Sequence, residues 1–278
     1  MIDSARNERR VRLASNGGTY VISAWLDLPV IGIFAVLAIF YGLAAALFAW
    51  LTFWSPLRGK VQSLSGIVAP YFNAIALLFA LLTGFLAGDV MDRTRLALRA
   101  VQAESGALAN LNALALASAA DTATIRDALH GYTDAVVNDE WKQMSNGQAS
   151  PKTEAALAAL LRAVADPRMT DAASQAVHGN FVQLVLKAAE ARSERLALNS
   201  RFSGAVRWMT VLLLCLMTQL AIGIVHLERP RAHIAAVFIF SLAAVITLGL
   251  IALQEYPFDG PLSVPPTPLE QLLKATAT

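Results

Sequence analysis

Four long stretches of the chain contain no Asp, Glu, Lys or Arg: residues 28–57, 61–88, 208–225 and 234–254. A helix needs about 20 apolar residues to cross the hydrocarbon core of a bilayer, and each stretch reaches or approaches that length. The chain as a whole is 56% hydrophobic and 15% charged, whereas an average soluble domain has about 25% charged residues. We therefore predict an all-α fold with four membrane-spanning helices.

The basic residues around these stretches predict their orientation, because Lys and Arg in short flanking segments favour the cytoplasmic side. With four spans, both ends and the middle segment share one side, which has twelve flanking basic residues against four on the other. The twelve are Arg6, Arg9, Arg10, Arg12, Arg93, Arg95, Arg99, Arg192, Arg195, Arg201, Arg207 and Lys274, and the four are Arg58, Lys60, Arg229 and Arg231. We predict a multi-pass protein of a bacterial inner membrane with residues 1–27, 89–207 and 255–278 in the cytoplasm.

The proline spacing predicts two long helices that leave the membrane. From Tyr71 the chain has no proline before Pro151 and is rich in alanine, so span two is predicted to continue as one helix of roughly 45 residues. A second helix of roughly 55 residues is predicted to start after Thr170, at Asp171, and to end in span three. Pro70, with the Ser and Gly residues of 63–66, predicts a kink or break near the start of span two.

Two shorter helices are predicted between the long ones, starting near Asp121 and at Ser150. Their apolar residues recur at helical spacing and so form one stripe on each helix. The stripes are Ile125, Leu129, Tyr132 and Val136 in the first helix, and Leu157, Leu160, Leu161 and Val164 in the second. Prolines exclude a helix through residues 257–268, and a short helix is predicted over 269–275.

The chain lacks the residue patterns of common catalytic and metal sites. Its four His residues are scattered, with no Cys, Asp or Glu at ligand spacing. Phosphate-binding loops, dinucleotide-binding loops and nucleophile elbows are missing from the sequence as well. We therefore predict no enzyme activity, no cofactor and no bound metal. The basic residues flank the spans instead of forming a patch, so we expect no nucleic-acid partner.

Polar residues within the spans have plain structural interpretations. Asn73, Thr83 and Gln219 lie deep in predicted spans, where such side chains more often bond to another helix than bind a ligand. Asp139 and Glu140 form the densest acidic pair outside the spans, and a solvated or salt-bridged helix end is favoured over catalysis. The absence of charge within the spans removes the usual signature of a proton relay.

Several segments carry a family resemblance: residues 84–87, 100–108, 125–132, 139–142 and 257–260, together with Arg93. They resemble the bestrophin-like family of membrane proteins, distant relatives of the bestrophin anion channels. The resemblance implies four spans and a ring-shaped homo-oligomer whose central pore is lined by span two. It also implies a constriction of apolar residues at i, i+4 and i+8, which Leu77, Leu81 and Phe85 fit. Calcium-gated bestrophins have an acidic cluster after the Pro-Phe pair, but here only Asp259 follows, so a calcium site is not implied.

The constriction residues also have a plainer interpretation, as lipid-facing or helix-packing side chains. Another face of span two carries residues that permit close helix contact and could form an oligomer interface: Asn73, Ala76, Ala80 and Gly84. The charges expected at the mouths of a pore are Arg58 and Lys60 at the outer end, and Arg93 and Arg95 as the nearest charges at the inner end.

Two functional hypotheses follow from these patterns. In the first, the chain forms a tetramer or pentamer in the lipid bilayer and conducts chloride or another small anion past an apolar constriction. In the second, it is a membrane-anchored helical sensor or scaffold without transport activity. The distribution of Lys and Arg argues against the second hypothesis, because bacterial sensors of this layout place their helical domain outside the cell.

Overall fold

The computed structural model describes residues 18, 20–56, 58–63, 69–118, 120–168, 175–199 and 204–277. Within these ranges the regular secondary structure is helical and no strand occurs, which confirms the predicted all-α fold. The chain divides into two units. We call Met1–Met91 with Phe202–Glu255 the membrane unit, and Asp92–Arg201 with Tyr256–Thr278 the helical unit.

The helices with described bounds run in chain order as follows. They are α1 Val30–Phe53, α2 Arg58–Gln62, α3 Ala69–Ala117, α4 Ala123–Ala135, α5 Trp141–Met144, α6 Pro151–Val164, α7 Gln175–Leu198, α8 Ala205–Val225, α9 Pro230–Ala252 and α10 Thr267–Thr276. A π-helical turn, Val136–Glu140, joins α4 to α5. Residues 20–26 are also helical.

In the described part of the chain, four helices are long and apolar enough to cross a membrane, namely α1, α3, α8 and α9. They correspond to the four charge-free stretches and confirm the predicted number of spans. Span one is shorter than predicted, because Pro29 stands extended before α1 and the helix ends at Phe53. Span two does not begin at Val61, since α2 ends at Gln62 and α3 begins at Ala69. Residues 64–68, which lie between these two helices, are outside the described ranges.

α3 extends well beyond the apolar part of span two. It runs for 49 residues without interruption, which confirms the long helix predicted from the absence of proline. Its residues up to Met91 belong to the membrane unit, and those from Asp92 belong to the helical unit.

The prediction of one continuous helix through span three is wrong. α7 ends at Leu198, and α8 begins at Ala205 after a non-helical Gly204. Asn199 and Gly204 are both weak helix formers, because asparagine competes for backbone hydrogen bonds and glycine loses the most backbone entropy. The predicted start of this helix, at Thr170 and Asp171, lies outside the described residues, as does the Arg-rich segment from Arg6 to Arg12.

In the membrane unit, α1 packs against both α8 and α9, and α8 packs against α9. Two glycines allow aromatic rings of α1 to approach closely. The ring of Phe34 occupies the space that a Cβ on Gly249 would need, and the ring of Phe48 does the same at Gly223. Larger residues at either glycine would therefore push α1 away from its neighbours.

The helical unit is built on the predicted apolar stripes. Ile125, Leu129, Tyr132 and Val136 are fully buried, as are Leu160 and Val164, while Leu161 is half-buried. The C-terminal segment packs on the same core through Phe258, Val264, Leu269 and Leu272. The Ser105 hydroxyl anchors it by donating a hydrogen bond to the carbonyl of Pro268 (3.0 Å). The short terminal helix predicted over 269–275 is confirmed as α10. The prediction that prolines exclude a helix as far as residue 268 is wrong at its end, because α10 begins at Thr267 and a proline is tolerated in the first helical turn, where its missing N–H has no partner to lose.

Candidate functional site

The predicted constriction residues form an exposed apolar stripe on α3. The side chains of Leu77, Leu81 and Phe85 are 69%, 50% and 64% exposed. They are four residues apart, about one helical turn, and so lie on one face of the helix. The buried residues of this part of α3 are Thr83, Leu86 and Val90, which lie on the opposite side of the helix. Half or more of the surface of each of these side chains is therefore left uncovered by the described chain.

The predicted packing residues lie beside this stripe. Asn73, Ala80 and Gly84 are exposed, and Ala76 is half-buried. Among the described atoms, none beyond the adjacent residues and the helix backbone lies within 4 Å of where a Cβ on Gly84 would stand. This side of α3 therefore leaves room for a close approach by another helix.

A groove runs between α3 and α8 in the membrane unit. Its volume is about 360 Å³. Most of its lining is apolar, and it ends at an ion pair between Arg207 and Asp89. The apolar and hydroxyl lining residues are Leu82, Phe85, Leu86, Val206, Thr210 and Val211. Phe85 thus belongs to both the exposed stripe and this groove.

The charges predicted at the inner end of the constriction need correction. Asp89 comes one turn after Phe85, so it is nearer along α3 than either Arg93 or Arg95. Eighteen residues make five helical turns, which places Arg95 on the same face of α3 as Leu77. Arg93 is turned about 160° from that face and is half-buried. Arg95 is exposed and pairs with Asp92 at 3.2 Å.

The charges predicted at the other end, Arg58 and Lys60, are both exposed on α2. The short helix has no acidic residue in its first turn. These two cations are therefore open to solvent or to lipid headgroups on one side of the membrane unit.

The polar side chains within the spans differ in their hydrogen bonding. The Gln219 amide donates to the carbonyl of Tyr41 (2.9 Å) and to the Ser241 hydroxyl (2.8 Å), so it joins α8 to α1 and α9. This confirms the predicted interhelical role of Gln219. Thr83 is buried, and its hydroxyl has no hydrogen-bond partner among the described residues.

A buried ion cluster lies in the core of the helical unit and comprises Glu104, Tyr132, Glu140, Arg192 and Arg195. The Arg195 guanidinium donates to Glu104 (2.7 Å) and to Glu140 (3.0 Å). Arg192 donates three hydrogen bonds to Glu140, the shortest of 2.6 Å, and one to the exposed Glu154 (2.6 Å). The two central carboxylates are thus balanced by two guanidinium groups.

Burial and neighbouring charge fix the protonation states of Tyr132 and Arg195 in this cluster. Burial, followed by the charge of Glu104, raises the pKa of Tyr132 well above its ordinary value. The phenol therefore stays protonated and donates to Glu104 at 2.6 Å. Burial alone would lower the pKa of Arg195, but Glu104 and then Glu140 offset it and the net shift is upward. Arg195 consequently remains a cation in the core.

The π-helical turn Val136–Glu140 supplies one of the two central carboxylates. Such a turn has a wider hydrogen-bonding register than an α-helix and changes the direction of the side chains that follow. Here it ends on Glu140, whose side chain is completely buried. The interpretation of Asp139 and Glu140 as a salt-bridged helix end is confirmed for Glu140, which pairs with two arginines 52 and 55 residues away in the sequence.

In the described ranges, no group of three or more His, Cys, Asp or Glu side chains is arranged to hold a metal ion.

Comparison with known proteins identifies a family and several solved structures that this chain resembles. The sequence model of the Bestrophin-like domain matches residues 38–269. No curated protein matches the chain. Among solved structures, two single-site variants of a bacterial bestrophin homologue from Klebsiella pneumoniae are each 15% identical to it. The first has a TM-score of 0.63 and covers 86% of this chain and 97% of its own. The second has a TM-score of 0.61 and covers 87% and 97%.

A third structure, that of a single-site variant of a membrane protein, is 12% identical to this chain. It has a TM-score of 0.63 and covers 87% of this chain and 96% of its own. At such identities the likeness concerns the fold, whereas the family is established by the sequence match over most of the chain. With its four apolar helices and its matched helical unit, the chain belongs to the Bestrophin-like family.

Proposed function

We propose that the chain forms a homo-oligomeric channel for chloride or another small anion, with Leu77, Leu81 and Phe85 as its constriction. The observation that carries the proposal is the exposure of these three large apolar side chains on the long helix of a Bestrophin-like chain. In a ring of copies, such stripes would face a common axis and enclose a path that a single copy lacks. An apolar constriction of this kind gates by excluding water.

The adjoining small-residue positions support an assembly of several copies. Asn73, Ala80 and Gly84 are exposed beside the stripe, and small residues allow neighbouring helices to approach closely in a membrane. In the proposed ring they contact the next copy while the apolar stripe faces the axis. Four or five copies would give a closed ring.

Basic residues supply the proposed preference for anions. Arg58 and Lys60 stand at one end of the membrane unit, and Arg95 lies on the stripe side of α3. Fixed cations raise the local concentration of anions near a pore mouth. Asp92 offsets part of the charge of Arg95, so we expect a moderate selectivity.

Reconstituted protein is expected to release chloride from loaded liposomes. The purified protein should also have the mass of four or five copies in detergent, because one copy has no closed route for ions. Chloride flux no greater than from empty liposomes would contradict the channel proposal. A strictly monomeric mass under the same conditions would also contradict it.

The proposed orientation places the helical unit in the cytoplasm, because twelve flanking Lys and Arg lie on that side against four on the other. A reporter inserted at Gly147 tests it, since this exposed glycine lies in a turn with φ of 74°. We expect no alkaline phosphatase activity from such a fusion, because the enzyme is active only outside the cytoplasm. Strong activity would reverse the topology and favour an external sensor domain.

A further inference from the structure

We propose that the ion pair between Asp89 and Arg207 sets the charge selectivity of the conduction path by cancelling the charge nearest to the constriction. The inference rests on the proposed channel function and adds two specificity-determining residues to it. Neither residue was singled out as a site by its sequence pattern. Their role follows from where the structure brings them together.

The first step is their position. Asp89 follows Phe85 by one helical turn, a rise of about 6 Å along α3. Arg207 comes from the first turn of α8 and reaches across the groove to the Asp89 carboxylate. Phe85, Asp89 and Arg207 all line that groove. The ion pair is thus the first charged feature beyond the last constriction residue.

The second step is their accessibility. Both side chains are 43% exposed, so neither charge is enclosed by the surrounding helices. An unbalanced charge at this position would act directly on ions that pass Phe85.

The third step is the size of the effect. A unit charge about 10 Å from an ion in water changes the ion's local occupancy about twofold at low ionic strength. In a ring, each copy contributes one such charge, so the changes multiply. Even partial screening should leave a measurable change in the ratio of anion to cation permeability.

The test is the reversal potential of the reconstituted full-length protein across a KCl gradient. Asp89→Asn leaves Arg207 unbalanced and should shift selectivity toward chloride. Arg207→Gln leaves Asp89 unbalanced and should shift it toward potassium. We expect at least about a twofold change in permeability ratio in each case. The two shifts must have opposite signs, which distinguishes a charge effect from a general loss of structure.

Two further variants complete the experiment. The exchange Asp89→Arg with Arg207→Asp retains the pair and should restore the selectivity of the parent, even if the single variants assemble poorly. Asp134→Asn removes a carboxylate that is similarly exposed, at 42%, and also ion-paired, but lies on α4; it should leave the reversal potential unchanged. If the parent conducts but both single variants keep its reversal potential, or shift it in the same direction, the role of the pair is overturned. A parent that does not conduct overturns the channel function itself.

Discussion

Replacing Leu77, Leu81 and Phe85 together with alanine is expected to raise ion current through reconstituted protein by about tenfold or more. The three side chains extend over roughly 12 Å of α3, and a narrow apolar segment of that length resists hydration. Truncation to alanine widens the path and admits water, so an ion keeps more of its hydration shell. Lowering the barrier by ~1.4 kcal/mol is enough for a tenfold rise in current. Single-channel or liposome flux recordings measure the change.

A matched control lies on α9, where three large apolar residues have the same spacing. Phe238, Leu242 and Ile246 are 64%, 50% and 48% exposed, close to the exposure of the stripe on α3. Their replacement by alanine removes similar apolar area from a span that we do not place around the pore. If both triple variants conduct like the parent, or both gain equally, the stripe on α3 is a lipid-facing or packing surface and not a constriction.

Arg195→Ala is expected to destabilise the helical unit by about 3–5 kcal/mol, because it leaves a buried carboxylate without its cation. Glu140 retains Arg192 as a partner, but Glu104 retains only the phenol of Tyr132. A buried charge compensated by one neutral hydrogen bond is costly in a core. Thermal unfolding of the purified protein in detergent should show a clearly lower midpoint for this variant.

Arg168→Ala serves as the comparison. Arg168 also pairs with a carboxylate, that of Asp166 at 2.7 Å, but its side chain is exposed. Exposed ion pairs contribute little to stability, so its unfolding midpoint should stay close to that of the parent. If the two variants unfold at the same temperature, the buried ion cluster does not stabilise the core in the way we infer.

Features encoded by local sequence were predictable. The spans follow from the absence of charge over whole helix lengths, and α3 follows from alanine content and missing prolines. The stripes through Ile125 and Leu157 follow from helical spacing alone, because one buried face imposes that period. The end of α7 was not predictable from proline spacing, since Asn199 and Gly204 weaken a helix without forbidding it.

The charged contacts were not predictable, because they join residues that are distant in the chain. Glu104 lies in an alanine-rich stretch that resembles the exposed part of a helix, and its partner Arg195 is 91 residues away. Arg207 was counted only as an orientation signal, although it pairs with Asp89, 118 residues earlier. Nothing in a single sequence indicates which distant residues come into contact in the folded chain. The role of the stripe on α3 remains a prediction for the same reason, since it depends on contacts between copies.

The π-helical turn at Val136–Glu140 has a consequence for tracing the ancestry of this chain. A π-helical turn closes i→i+5 hydrogen bonds and therefore contains one residue more than an α-helical turn, which is equivalent to one inserted residue that the helix absorbs locally. A relative without the insertion would reach the same carboxylate position one residue earlier. Alignments of homologues should therefore allow a single-residue gap inside this helix, where gaps are usually penalised. In a relative whose glutamate is aligned one position away from Glu140, that glutamate can still be the residue that pairs with the counterparts of Arg192 and Arg195.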